Sequence, residues 1–135
     1  MHYAIILASG MGKRMQAKKN KVLLTLNKKP LIFWCLEKFE KNPQIKKIVI
    51  TSRSGEMEEV KKIISKSGFQ KVAAVLEGGA ERQYSAQIGL NWIVQNLRPA
   101  DKSVILFHNG ANPLVQSGEI KATIAAAQKY GAAAV

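Results

Sequence analysis

The sequence of 135 residues contains 21 Lys or Arg and 9 Asp or Glu residues, which gives a formal net charge of +12. Hydrophobic residues make up 47% and charged residues 22%, a globular composition that argues against disorder for most of the chain. The single cysteine, Cys35, excludes an internal disulfide framework and a cysteine-based zinc site. The only aspartate, Asp101, likewise excludes paired aspartates for a two-metal site.

The net charge and the apolar runs of the sequence indicate which partners and which cellular compartment to expect. A strongly basic chain favours anionic partners such as nucleotides. No basic and apolar leader precedes the first apolar run, and no run approaches the roughly 20 residues of a membrane span. We therefore expect a soluble cytoplasmic protein with no membrane partner.

Apolar runs alternate with helical patterns along the chain, and each run predicts one element. In chain order the first half predicts a strand at 3–7, a loop at 8–20, a helix opened by Pro30, a strand at 47–51 and a helix from Met57 that Gly68 ends. The second half predicts a strand at 72–76, a helix from Glu81 to Leu97, a strand at 103–107, a helix through Tyr130 that Ser117 caps and Gly131 ends, and a fifth strand at 132–135.

This alternation predicts an α/β fold with a doubly wound, mostly parallel, Rossmann-like sheet covered by helices on both faces. No linker or repeat divides residues 1–135, so we expect them to form part of one domain. Because the chain ends inside the fifth predicted strand, we expect it to be the first part of a longer protein.

The loop after the first predicted strand is the main candidate for chemistry. Residues 9–15 read S-G-M-G-K-R-M, and the two glycines let the backbone approach a ligand closely. The dinucleotide fingerprint is excluded because Met15 stands where its third glycine belongs, and no Walker A sequence occurs. The two cations that remain, Arg14 and Lys21, suit a polyphosphate.

Three blocks of sequence, each at a predicted strand end, carry a resemblance to a known family. The first comprises residues 9–15, N-K at 20–21 and L-N-K-K-P-L at 26–31. The second is E-G-G-A-E-R-Q-Y-S-A-Q-I-G-L at 77–90, and the third is F-H-N-G-A-N-P at 107–113. Together they resemble the N-terminal part of the 2-C-methyl-D-erythritol 4-phosphate cytidylyltransferase family, whose members have the glycosyltransferase-A-like nucleotidyltransferase fold.

The resemblance implies a reaction, its partners and a set of site residues. The reaction is transfer of CMP from CTP to a small phosphorylated polyol, with Mg²⁺ as cofactor and pyrophosphate as product, in isoprenoid precursor synthesis. A homodimer of the complete protein is compatible with it. The implied catalytic cations are Arg14 and Lys21, and the implied nucleotide contacts are Ala8, Ser9, Gly10, Gly12, Gly79, Ala80, Arg82, Ser85, Asn109 and Gly110.

Three asparagines depart from the family pattern. Asn109 stands at the aspartate that binds Mg²⁺, so it is a weak candidate metal ligand, and its side chain could equally close a turn. Asn112 replaces an arginine, and Asn20 replaces a proline. Two alternatives stay open: a related transferase acting on a polyol phosphate such as ribitol 5-phosphate, and a catalytically weakened nucleotide-binding module that Asn109 and Asn112 suggest. A nucleic-acid-binding module is disfavoured because no aromatic residues interleave with the basic loop.

Overall fold

The computed structural model describes residues 1–10 and 20–133. The strands in this part of the chain are β1 His2–Ala8, β2 Thr25–Leu26, β3 Lys29–Pro30, β4 Ile45–Ser52, β5 Val72–Glu77 and β6 Ile105–Asn109. The helices are α1 Leu31–Glu40, α2 Met57–Ser67, α3 Arg82–Leu97 and α4 Ser117–Tyr130. Short 3-10 turns lie at Lys21–Leu23 and Ser54–Glu56.

The main sheet has four strands in the order β5-β4-β1-β6, and every pairing in it is parallel. β1 lies at the centre, where Ile5 is opposite Val49 on one side and Phe107 on the other. All seven residues of β1 are buried, which explains why this strand reads as a continuous apolar run. The predicted parallel α/β architecture is confirmed.

Helices cover both faces of the sheet, as the alternation predicts. On one face, Ala4 and Ile6 of β1 pack in a core with residues of α1, α2 and α4. On the other face, Ile5 and Leu7 pack with Ile93 of α3. Burying each large aliphatic side chain contributes roughly 1.5–3 kcal/mol to stability, so the two cores fix the strand ends that carry the candidate site.

Four of the predicted strands and all four predicted helices are present, with small differences at their ends. The left-handed backbones of Gly68, with φ 71°, and Gly131, with φ 88°, confirm both predicted helix ends. The prediction that Ser117 caps α4 is wrong, because Gln116 is the cap residue and Ser117 is the first helical one. Pro30 likewise precedes the first helical residue, Leu31.

Two further differences lie on either side of α4. β6 starts at Ile105 because the Val104 N–H donates to Nδ1 of His2 and the Ser103 N–H to the Ala100 carbonyl. Of the fifth predicted strand, Ala132 and Ala133 belong to no strand, and residues 134–135 lie outside the described part.

A hairpin of β2 and β3, which the sequence analysis did not predict, lies between the candidate loop and α1. Its turn residues Asn27 and Lys28 have φ values of 52° and 68°. A two-residue turn with both φ values positive matches the twist of a hairpin, but a non-glycine residue such as Lys28 is strained there.

Candidate functional site

The order of the strands places the candidate site at the carboxyl end of β1. The chain passes from β1 to β4 on one side, whereas β6 pairs with β1 on the other side. Ligands of open α/β sheets bind in the crevice outside the strand ends where the order reverses in this way. Ser9 and Gly10 follow β1 at this point, and Gly110 follows β6.

A hydrogen-bonded cluster joins the end of β1 to the start of α3. Oγ of Ser9 lies 2.6 Å from Oγ of Ser85, and the Gly79 N–H donates to the same Ser85 oxygen at 3.1 Å. Ser9 and Ser85 are 6% and 1% exposed. The first turn of a helix has unpaired N–H groups and the positive end of the helix dipole. The cluster therefore fixes a polar, anion-favouring surface beside β1.

Gly78 is required by close packing and not by its backbone conformation. A Cβ atom at position 78 would lie 2.3 Å from Oγ of Ser9 and 2.9 Å from Oγ of Ser85. The Gly78 N–H also donates to the Ser52 carbonyl at 2.8 Å, which ties the turn after β5 to the end of β4. A side chain at position 78 would displace Ser9 or the turn, and the serine pair depends on both.

The two residues that flank the segment 11–19 are held by a turn after β4. The guanidinium of Arg53 donates to the Gly10 carbonyl, with Nε at 3.0 Å. The carboxylate of Glu56 accepts from the side-chain amide of Asn20 at 3.0 Å. Lys21 follows Asn20 as the exposed first residue of the 3-10 turn.

The end of β6 is closed by asparagine side chains. Oδ1 of Asn109 accepts from the Ala111 N–H at 2.9 Å, and Oδ1 of Asn112 accepts from the Leu114 N–H at 3.0 Å. Asparagine closes turns in this way because its side chain reaches the backbone two residues on. The Gly110 N–H donates to the Leu7 carbonyl at 2.9 Å, which ties this turn to β1.

The two titratable side chains behind this turn are uncharged at neutral pH. Burial lowers the pKa of His108, and the nearby positive charge of Arg82 lowers it further. The imidazole of His108 lies 5.4 Å from the Phe39 ring, and within the described residues its buried Nε2 has no hydrogen-bond partner. Burial also raises the pKa of the Cys35 thiol to about 12. At neutral pH, burial therefore favours the neutral imidazole of His108 and the protonated thiol of Cys35.

The described donors do not fit a Mg²⁺ ion held by the protein alone. In residues 1–10 and 20–133, no three His, Cys, Asp or Glu side chains form a group that could hold a metal ion. Asn109 offers one neutral oxygen that already accepts an N–H, whereas Mg²⁺ prefers carboxylates beside substrate phosphates. Coordination by Asn109 stays a prediction.

Ser9, Gly79 and Ser85 are the predicted site residues that the structure brings into direct contact. The Ala8 carbonyl accepts a hydrogen bond from Asn20, and the Gly10 carbonyl accepts one from Arg53. Gly110 is bonded to β1 through the Leu7 carbonyl. The remaining predicted residues in the described part are exposed, namely Lys21, Ala80, Arg82 and Asn109. The predicted residues Gly12 and Arg14 lie outside the described part of the chain.

The contacts of Arg53, Glu56 and Asn20 were not predicted from the sequence. A signal was present, since both charged residues follow the carboxyl end of the second predicted strand, where ligands of such sheets bind.

Comparison with known proteins agrees with this architecture over nearly the whole chain. A sequence model of the family described as 2-C-methyl-D-erythritol 4-phosphate cytidylyltransferase matches residues 2–135. Proteins of that name from Clostridium acetobutylicum and Geobacillus kaustophilus are 36% and 38% identical over 135 and 134 residues. These alignments cover 99% and 98% of this chain and 56% of each relative. The chain thus spans about half the length of the curated relatives it matches.

Solved structures support the fold. A crystal structure of 4-diphosphocytidyl-2C-methyl-D-erythritol synthase superposes with a TM-score of 0.76 at 19% identity, over 96% of this chain and 54% of that one. The enzyme of that name from Anaerococcus prevotii gives a TM-score of 0.72 at 21% identity, over 94% and 51%. No helix of the described residues is long and apolar enough to cross a membrane.

The close contact between Gly78 and Ser9 predicts a coupled pair of substitutions. Gly78→Ala should lower the free energy of unfolding by roughly 1–3 kcal/mol, because its methyl group overlaps Ser9. Ser9→Gly removes the two Ser9 atoms that lie nearest to this methyl group, so the double variant should lose less stability than the two single losses combined. Urea denaturation measures all three variants.

Gly118→Ala is the matched control, since a Cβ atom there meets nothing within 4 Å. A Gly78→Ala variant as stable as the wild type, or strictly additive losses in the double variant, would show that this contact does not constrain the site.

Proposed function

This chain belongs to the 2-C-methyl-D-erythritol 4-phosphate cytidylyltransferase family, and we propose on that premise that it binds CTP at the carboxyl edge of its sheet. In this proposal the chain forms the nucleotide-binding part of a domain that transfers CMP to a phosphorylated polyol. The observation that carries the proposal is the cluster of Ser9, Gly79 and Ser85, which joins the glycine-rich block after β1 to the block that begins α3.

The proposed chemistry is substitution at the α-phosphorus of CTP. An oxygen of the acceptor phosphate forms a bond to that phosphorus, and the bond from the α-phosphorus to the oxygen bridging it to the β-phosphate breaks. The electron pair leaves on pyrophosphate, and the product is CDP-linked. The attacking phosphate is already anionic, so the reaction needs no general base.

The protein's task in such a reaction is to position the phosphates and stabilise their charge. We assign charge stabilisation to Lys21 and Arg14. Lys21 is exposed beside the loop flank, where its ammonium can reach a ligand at the end of β1. We assign nucleotide contacts to the small residues that the family resemblance implies, since small residues let a base and ribose approach the backbone. These are Ala8, Ser9, Gly10, Gly12, Gly79, Ala80, Ser85 and Gly110, with Arg82 at the start of α3.

We propose 2-C-methyl-D-erythritol 4-phosphate as the acceptor, on the strength of the relatives' names. This assigns the complete protein to isoprenoid precursor synthesis. Because the chain covers 56% of those relatives, residues beyond it would supply much of the acceptor site. Ribitol 5-phosphate is the competing acceptor, and a direct comparison of the two phosphates as substrates separates them.

A catalytically weakened nucleotide-binding module is the second candidate function, and one observation favours it. Both asparagines that depart from the family's third block use their side chains to close turns at the end of β6. An amide in that role supplies no charge to offset a divalent cation. In such a module CTP would bind, with the cation carried on its own phosphates, and turnover would be slow.

Substitution of the loop cations tests the first candidate. Lys21→Ala and Arg14→Ala should each cost about 1.5–3 kcal/mol of CTP binding free energy, because each removes a charge-assisted contact to phosphate. Calorimetric titration measures the affinity. Lys62→Ala, which removes an exposed cation of α2, should leave it unchanged. Equal affinity in the wild type and both loop variants would exclude this loop as the triphosphate site.

Asn109→Asp tests whether the end of β6 holds the metal ion in the complete protein. A carboxylate at the end of β6 should raise the affinity for Mg²⁺ and increase the rate of pyrophosphate release more than the affinity for CTP. Because Asn109 precedes Gly110 and such pairs deamidate, the mass of the wild-type protein must be verified first. An unchanged magnesium midpoint and an unchanged rate would show that Asn109 only closes its turn.

A further inference from the structure

The turn after β4 contacts both ends of the segment 11–19 at once. Arg53 contacts the residue before it, since two nitrogens of its guanidinium donate to the Gly10 carbonyl. Glu56 contacts the residue after it, since one carboxylate oxygen accepts from Nδ2 of Asn20 at 3.0 Å and the other accepts from the Asn20 N–H at 3.4 Å. Gly10 and Asn20 are thus joined through one short piece of chain.

Arg53 and Glu56 are also paired with each other. Nε of Arg53 lies 3.9 Å from Oε1 of Glu56, and their side chains are 24% and 15% exposed. A partly buried pair is screened by salt less than an exposed one. Since both residues belong to the turn that follows β4, the pair connects the loop flanks to the central sheet.

Asn20 completes this connection with its side chain. Besides Glu56, its Nδ2 donates to the Ala8 carbonyl at 2.7 Å, and its Oδ1 accepts from the Val22 N–H at 3.4 Å. Both hydrogens of the amide therefore have an acceptor, and the residue is only 6% exposed. A proline at this position, as in the family pattern, could make none of these donor contacts.

The fixed flanks bear directly on the groups that we assign to the nucleotide. Lys21 follows Asn20 in the chain and is the first residue of the 3-10 turn. In that turn, the Val22 N–H donates to the Asn20 side chain. On the other flank, the Gly10 carbonyl is occupied by Arg53, and an unpaired carbonyl at that point would repel phosphate oxygens. Rigid placement of binding groups before the ligand arrives saves ordering cost during binding.

We propose that Arg53 and Glu56 are positioning residues of the nucleotide site, which hold Gly10 and Lys21 in the arrangement that a triphosphate requires. This inference rests on the proposed function, because it assigns the two residues a role in CTP binding. They act through the loop flanks and need not touch the ligand. The Glu56 carboxylate and the Ala8 carbonyl also explain how Asn20 can replace the family's proline, because they accept hydrogen bonds from its backbone and side-chain N–H groups.

Two variants test the proposal on the 135-residue chain. Glu56→Gln keeps the shape of the side chain and removes its charge, whereas Arg53→Lys keeps the charge and removes the forked donor. Each should weaken CTP binding roughly threefold to tenfold, the effect of losing one net hydrogen bond. Amide hydrogen exchange at Asn20 and Val22, measured by NMR without nucleotide, should become faster.

Glu58→Gln is the matched control. Glu58 pairs with Lys61 at 3.5 Å, three residues along the chain as in the Arg53 and Glu56 pair, but these side chains are 83% and 51% exposed. Breaking this exposed pair should change neither the CTP affinity nor the exchange at Asn20 and Val22. A purely structural role for Arg53 and Glu56 would lower the urea midpoint without changing the affinity of the folded protein.

The possible results separate this inference from the proposed function. If the wild type binds CTP and the folded variants bind it equally well, the positioning role is wrong and the proposed function stands. If the wild type binds no CTP, the proposed function is wrong, and the positioning role, which rests on it, is wrong as well. Should Glu56→Gln fail to fold, the Arg53→Lys variant decides alone.

Discussion

The site depends on one constraint, the close approach of the end of β1 to the first turn of α3. The serine hydroxyls at 2.6 Å leave no space for a side chain at Gly78, so three separate parts of the sequence must fit together. Because β1 is buried along its full length between two cores, a displacement of its end would also disturb the packing of the sheet. The rigidity of the central strand is thereby transferred to the residues that we assign to the nucleotide.

Charge is distributed around this rigid point in a way that suits a polyphosphate. The chain as a whole is strongly basic, yet the carboxylate of Glu56 lies at the loop flank, where Arg53 compensates it. Lys21 remains exposed beside them. In the proposed site, the pair of Arg53 and Glu56 would position the loop flanks, and Lys21 would stabilise the charge of the phosphates.

The sequence predicted the sheet well because the physics of its strands is local. Buried parallel strands must be apolar on both faces, so runs such as residues 3–7 can be recognised as strands in the sequence. Gly68 and Gly131 also identify helix ends, since each must adopt a left-handed backbone. The β2 and β3 hairpin escaped prediction because its turn contains Asn27 and Lys28 where a glycine would have marked it.

Contacts within the site were predicted less well because they join residues that are distant in the chain. Arg53 and Gly10 are 43 positions apart, and Asn20 and Glu56 are 36 apart. A charged residue that follows a strand has the same pattern whether it is solvated or holds a loop, so hydropathy cannot distinguish the two. The family resemblance predicts Ser9, Gly79 and Ser85 as site residues, but their mutual hydrogen bonds emerged only from the fold.

We propose that CTP binds at the carboxyl edge of the sheet, between β1 and the start of α3. A CTP titration of the ¹⁵N-labelled chain, followed by NMR, tests this proposal. We predict that the amide signals of Gly79, Ser85 and Lys21 shift and saturate together, while that of Thr123 in α4 stays unchanged. Saturable shifts confined to other parts of the chain, with these three signals unmoved, would contradict the account.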